Sequence, residues 1–484
     1  METLHHASTY QEGAFELENH FYARVLNAQI HPVVRYFMDM GNERIAKRYC
    51  HLHPEVSRED ILSLLSQKSR FFRWGGADLF QTTREDGVRQ TVVIETNSSP
   101  SGQKSMPPIH EGQEQAGYAK LLERAFLPMT KRRNAPKGVL AVLSDKNYME
   151  TQGYAATLAD VTGEVVYHVP WYVDDPNPPA RWNNEGILSI RTEEGQWLPV
   201  RGALKYVTQR PWTRIPPVTK TVIFNPVLCC LAGGRNKLLA AKAYDIFNAR
   251  MSDTSLCVNT PETIWDVAHN EIPLWVNRMG GYAVVKNPYS NAGQGVWTIT
   301  NEAELEAFMN VEQRYDRFIV QALIGNRNWS SRSNQGRLYH LGTMPNKKNN
   351  IYVIDFRFMV GSGIDGFFPV AIYARRARTP LAVDLTDSTN SWDMLGTNLS
   401  VRNPDGSWKT ESQRLMLMDS RDFNHLGIGL DDLIEAYLQS VMAVTAIDQM
   451  SAQLVTQKGK FRRKLFASLN PDPTLVNEVC KLPT

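Results

Sequence analysis

Asp78, Glu95 and Asn97 carry the first chemistry in this chain. They stand in GGADLFQTTREDGVRQTVVIETN, residues 75–97, where two apolar runs flank Asp86-Gly87. Glycine accepts the positive φ of a two-residue hairpin turn, so the runs are predicted strands, 77–83 and 90–96. A turn centred there sets Asp78 opposite Glu95 and Asn97 opposite Gly76 on the same face. Two carboxylates facing each other at about 5 Å repel. Leu79, Phe80, Val93 and Ile94 are apolar on both faces, so the sheet is covered and the charge needs a partner. A divalent cation, Mg²⁺ or Mn²⁺, resolves the conflict, because Mg²⁺ takes hard oxygen ligands and shares its remaining positions with water and nucleotide phosphates. Asp78, Glu95 and the Asn97 amide oxygen are the candidate ligands. The plainer alternative is a pair of surface charges on an edge hairpin.

A second constellation comes much later. GYAVVKNPYSNAGQGVWTIT, residues 281–300, is an apolar strand ending in Lys286, a small polar loop with Gly293 and Gly295, and a second strand. Glycines let backbone amides approach phosphate, and a lysine adds a point charge. The order of a Walker phosphate loop is absent, and an ordinary hairpin loop is the alternative. Upstream, LAGGRNKLLAAKAYDIF (231–247) puts Gly233, Gly234 and Lys237 before a helix, whose N-terminus suits phosphate. Downstream, RFIVQALIG (317–325) is a strand whose edge at Gln321, Ala322 and Leu323 offers groups to an adenine.

Taken in order, Lys237, VVK with its glycine loop, and IVQALIG resemble the ATP-grasp superfamily. The Asp78 and Glu95-Thr96-Asn97 hairpin resembles the metal motif of its D-alanine ligase type. That motif normally follows the lysine elements; here it precedes them, as in the circularly permuted arrangement of eukaryotic glutathione synthetase. The resemblance implies an α/β fold of α+β lobes clamping ATP, with an inserted α/β substrate domain. It also implies an ATP-dependent carboxylate–amine ligase, forming an amide through an acyl-phosphate and releasing ADP and phosphate, and such ligases are often homodimers. The alternatives are a phosphotransferase on the same fold and a non-catalytic nucleotide-binding regulator. Such phosphoryl transfer runs on positioning and charge neutralisation. Arg357, Arg375 and Arg376 in YVIDFRFMVGSGIDGFFPVAIYARRARTP (352–380) are candidates for that task. Arg375 and Arg376 point to opposite faces of one strand, and a strand-edge salt bridge of Arg357 with Asp355 is the alternative role. Arg73 precedes the hairpin and is a further catalytic candidate. Ser98, Ser99, Gly102, Lys104 and Ser105 are candidates for binding the substrate carboxylate, and Asn398 in LGTNLS is a candidate metal-side or phosphate contact.

The elements that must position these residues read as follows. Helices are predicted over 13–29 and 31–50, and from Ser57 as a cap to Gln67. A helical stretch at 113–130 leads into strand, helix and strand over 137–169, an α/β layer signal. A Pro- and Trp-rich stretch reaches about 218, a second α/β region runs from 222 to about 380, and 431–450 is an amphipathic helix. The expected division is 1–115 with the metal hairpin, 116–221 as the substrate domain, and 222–484 as the nucleotide lobes. The 484 residues are 42% hydrophobic and 21% charged, with 53 basic against 50 acidic side chains. This near balance gives no reason to expect nucleic acid or a membrane as partner. Small carboxylate and amine substrates are the expected partners. Five cysteines without a CxxC pair argue against a disulfide framework or structural zinc and for a reducing compartment. With no leader at the N-terminus and no apolar run of about 18 residues, a cytoplasmic location is expected. No HExxH or GxSxG signals a hydrolase.

Overall fold

The computed structural model describes residues 5–132, 135–290, 295–386, 390–402 and 408–480. The expected helix over 13–29 is two short turns, Leu17–His20 and Ala23–Leu26. Phe21 between them is extended and buries its ring against Tyr118, so packing overrides helix propensity there. The next predicted helix divides into Pro32–Asp39 and Asn42–Leu52 at Gly41, whose φ is +74°. Ser57 caps Arg58–Ser66, accepting from Asp60 N–H at 3.1 Å.

The hairpin forms from β1 (Trp74–Arg84) and β2 (Arg89–Asn97). Its turn is one residue longer than expected: Arg84 pairs with Val88 across Glu85-Asp86-Gly87, with Gly87 at φ +84°. That alone would offset Asp78 from Glu95. A bulge compensates, since Ile94 is the extra residue between the pairs Leu79–Val93 and Asp78–Glu95. Asp78 therefore faces Glu95, and Asn97 faces Gly76.

Next, β3 (Val139–Ser144), α1 (Tyr148–Thr162), β4 (Val166–Pro170) and β5 (Trp197–Tyr206) build a seven-stranded sheet. β4 and β5 both run parallel to β3, on opposite sides of it. The loops leaving β3 and β5 therefore diverge, the arrangement that opens a crevice at strand ends. Two strands from outside 116–221 join this sheet, Ser8–Tyr10 on β4 and Val222–Phe224 on β5.

After α2 (Lys237–Arg250) comes a small antiparallel sheet of β6 (Thr263–Ala268), β7 (Ala283–Lys286), β8 (Val296–Ile299) and β9 (Arg317–Ala322), ordered β6-β9-β7-β8. It has a core of its own, around Val267, Ile272, Val285, Phe308 and Phe318. β10 (Ile354–Gly363) then returns to pair with β1, and β11 (Gly366–Arg376) pairs with β10. The hairpin and β10–β11, distant in sequence, thus share one six-stranded antiparallel sheet. α3 (Leu430–Gln453) packs on β1, β2 and β10. No helix among the described residues is long and apolar enough to cross a membrane.

Candidate functional site

Between the small sheet and the six-stranded sheet lies a cleft. One end is apolar: Phe80, Ile94, Pro261, Val284, Val296, Leu323 and Ile324 line it. His340 stands there edge-on to Phe80 with ring centres 4.6 Å apart, and burial pulls its pKa down to about 3, which keeps it neutral. The other end is charged, lined by Asp78, Glu95, Asn97, Lys237, Lys286, Asp355, Arg357 and Arg375. A flat base beside a chain of phosphates has this division of character.

At the charged end, β10 sets Arg357 across from Asp78. Arg357 grips Asp78 in a two-pronged ion pair, Nε to Oδ1 and Nη2 to Oδ2 both at 2.7 Å. Arg375 Nη2 reaches Asp78 Oδ2 at 3.0 Å and also pairs with Asp355. Burial opposes the charge on Asp78, but the two guanidinium groups win and hold its pKa at about 2. Asp355 is fully enclosed, and burial raises its pKa despite Arg375.

The lysines come in from the other side. Lys286 Nζ donates to Gln321 Oε1 at 2.7 Å and to the carbonyl of Ile94 at 3.1 Å. The bulge residue that corrects the hairpin register thus also offers its carbonyl to a cleft lysine. Burial pulls Lys286 down to about 8, with Glu95 working against it. Lys237 opens α2, lies 3.2 Å from Glu95 Oε1, and donates to Ser290 O at 2.8 Å. Gln321 also donates to Thr263 Oγ1 at 2.9 Å, so its side chain is held on both sides. Ala322 and Leu323 line the cleft, with their N–H groups committed to Glu262 O and Ser331 Oγ.

Among the described residues no group of three or more His, Cys, Asp or Glu side chains could hold a metal ion. Asp78, expected as a ligand, gives its oxygens to arginines instead. The Glu95 side chain keeps a quarter of its surface open, and Asn97 Nδ2 is buried without a partner. Turning that amide over presents its oxygen. One carboxylate and one amide oxygen, completed by water and phosphate, fit Mg²⁺ better than a closed protein cage would.

Other expected residues lie elsewhere. Arg73 is not among the cleft residues; its guanidinium sits near Arg132 and Asp448, and burial lowers its pKa. Arg376 points to the opposite face from Arg375 and stacks over Tyr352, 4.6 Å from the ring centre. Ser98, Ser99, Gly102, Lys104 and Ser105 are turned into the protein. Ser98 contacts Cys230, Ser99 contacts Lys205, and Gly102 N–H donates to Glu150 Oε1 at 2.9 Å. Lys104 bonds the Asn147 side chain, and Ser105 is buried within the turn. For Ser99, Gly102 and Lys104 the cause is shared: Lys205, Glu150 and Asn147, all from 116–221, already satisfy them. Asn398 does line the cleft and donates to Ser400 O at 2.8 Å. Gly295, at φ +69°, closes the loop after β7, whereas Gly293 lies outside the described residues.

Sequence reasoning missed Lys146 and Arg235. Lys146 lies two residues past the C-terminal end of β3. Burial pulls it down to about 8, helped by the neighbouring charges of Arg235, Arg357 and Lys104. Asp145 beside it is occupied by Thr208 and Gln209 N–H groups at 2.7 and 2.8 Å. The available signal was a lysine at the C-terminal end of a parallel strand, where ligands gather.

The chain matches no family model and no curated protein. Among solved structures it is similar to a glutathione synthetase-like effector from Globodera pallida, at 11% identity and TM-score 0.36, over 77% of this chain and 87% of that one. It is also similar to a RimK domain ATP-grasp protein from Sphaerobacter thermophilus, at 14% identity and TM-score 0.28, over 51% of this chain and 92% of that one. D-alanyl-alanine synthetase A from Vibrio cholerae is a third, at 11% identity and TM-score 0.27, over 55% and 95%. These neighbours are ATP-grasp proteins, the class the sequence motifs resemble. At such TM-scores they settle nothing about the reaction, and the functional reading rests on the cleft itself.

Proposed function

We propose that this chain is an ATP-dependent carboxylate–amine ligase. The observation that carries the reading is a single cleft with an apolar slot at one end and, at the other, Glu95 and Asn97 from β2 facing Lys237 and Lys286. In this reading the apolar slot takes the adenine, and Lys237 and Lys286 neutralise the phosphates. Glu95 and Asn97 hold Mg²⁺, which screens phosphate charge when bound. Arg375 and Arg357, oriented by Asp78 and Asp355, stand where negative charge develops on the transferred phosphoryl group. The substrate carboxylate enters from the crevice marked by Lys146 and Arg235, attacks the γ-phosphorus and displaces ADP. An amine then attacks the acyl carbon and displaces phosphate. We further assign 116–221 to substrate binding and 222–484 to the nucleotide.

The experiment is ADP release with ATP and Mg²⁺ over a panel of carboxylates, with and without amines. Turnover needing both substrates is the expected result. Glu95→Gln is expected to lower it at least about 10²-fold, the scale of losing one group that stabilises transition-state charge. ADP release without any amine points to a phosphotransferase, and an unaffected Glu95→Gln variant overturns the assignment of the site.

A further inference from the structure

Behind the loop that leaves β2, four side chains close around one another without a carboxylate. Lys205 Nζ, at the end of β5, donates to Ser99 Oγ at 3.0 Å and lies 3.4 Å from Cys230 Sγ. Ser98 Oγ is 3.1 Å from the same sulfur. Ser98, Lys205 and Cys230 are fully buried, and Ser99 is 2% exposed. Lys205 ion-pairs with no acid among the described residues, its contacts being a hydroxyl and a thiol. A lysine enclosed this way is costly, because an unpaired buried charge is strongly disfavoured. Neither the nucleotide cleft nor the crevice uses it, and neighbouring Cys229 turns away toward Ser451.

We propose that Lys205 and Cys230 form an oxidative modification site, at which Nζ and Sγ become joined through a single oxygen atom. The nitrogen and sulfur already face each other at contact distance, and an inserted oxygen asks for only a small closure. The oxidant is dioxygen, which is small and reaches packed interiors through local opening. The amine and the thiol each lose one hydrogen from the bonds that break. One atom of dioxygen forms the N–O and O–S bonds, and the other leaves with both hydrogens as water. Nitrogen and sulfur are each oxidised by two electrons, and dioxygen accepts all four. A thiol that attacks the sulfur breaks the O–S bond, leaving the nitrogen as its hydroxylamine and the cysteine as a mixed disulfide that a second thiol reduces, so the cross-link is lost. The bridge ties the end of β5 to the turn that precedes α2, seven residues before Lys237, which meets Glu95. It holds the junction of the inserted domain with the nucleotide lobe in one arrangement, whatever reaction the cleft performs.

Peptide mapping of the full chain tests this. Air-exposed and anaerobic, thiol-treated samples are alkylated under denaturing conditions without reduction and digested with trypsin. The air-exposed sample is expected to yield residues 202–214 joined to 221–235. The pair weighs one oxygen more and two hydrogens less than the separate peptides, and it vanishes on thiol treatment. Cys230→Ser, which keeps a hydroxyl for Ser98 and Lys205, loses the joined pair. Cys229→Ser keeps it. Complete alkylation of Cys230 in the air-exposed wild type after denaturation, with no joined pair, overturns the proposal. So does a joined pair that persists in Cys230→Ser, or a disulfide between Cys229 and Cys230.

Discussion

Asp78, Glu95 and Asn97 face the cleft, whereas Ser98 to Ser105, next along the chain, are turned inward. Both stretches are polar and both carry groups suited to ligands. The difference lies in what reaches each first. β1 and β2 place their side chains by strand alternation, and the small sheet stands off across an open space. The following loop is met by α1. Glu150, at the start of that helix, accepts from Ser101 Oγ at 2.6 Å, Gly102 N–H at 2.9 Å and Gln103 N–H at 3.2 Å. Met359 and Tyr373 crowd Gly102 so closely that a Cβ would lie 2.4 Å from the Met359 sulfur. Polarity offers a group for binding, and its surroundings decide whether another part of the chain uses it.

Breaking the open side gives the largest expected effect. Asp78→Asn removes the charge that two arginines share, leaving Arg357 and Arg375 buried with Asp355 alone. Stranding a partner of a buried pair costs about 3–5 kcal/mol, to be read by urea unfolding. The pH dependence has a definite sign. Because the folded pKa of Asp78 is depressed, its contribution is complete above the ordinary carboxylate range near 4 and is lost as pH falls through about 2. The variant's unfolding free energy is expected to approach that of the wild type in strong acid.

The closed side is tested by Glu150→Gln. The amide still fills the space but turns one acceptor oxygen into a donor among groups that are themselves donors. Losing hydrogen bonds to a buried charged group costs about 2–3 kcal/mol. Unfolding should move accordingly, while ADP release per folded molecule stays near the wild-type value. A collapse of turnover with unchanged stability would instead place the loop at the reaction.

The pairing of Asp78 with Glu95 was legible in the chain, although two departures from the simple hairpin cancel to produce it. The turn is one residue longer, and Ile94 is an extra residue on β2. Composition alone does not place a bulge, because its reason is tertiary: the Ile94 carbonyl meets Lys286 from a distant strand. Lys237 and Lys286 could be picked out because each sits at a helix start or strand end beside glycines. Lys146 offered only its place after a parallel strand, and nothing local in the sequence puts Arg235 beside it, because that proximity is made by the fold. Arg375 and Arg376 were separable only as opposite faces of one strand, and Asp78 and Asp355 decide which of them enters the cleft.

The gentlest test is pH, applied to Lys286. Its folded pKa is lowered to about 8 by burial, below the ordinary lysine value near 10.4. Below pH 8 the lysine is charged in both folded and unfolded chains, and the cost of enclosing that charge is fully present. As pH rises from 8 toward 10.4 the folded protein sheds the proton first, so the cost is relieved by about 1 kcal/mol between pH 8 and 9. Phosphate binding runs the other way, because it needs the cation. Between pH 8 and 9 the KM for ATP is expected to rise several-fold while this residue's burden on folding lightens. Lys286→Arg keeps its charge throughout and should flatten both trends. If KM stays flat over this range in the wild type, Lys286 is not the group that meets the phosphates, and Lys237 is left as the lysine of the pair to carry that role.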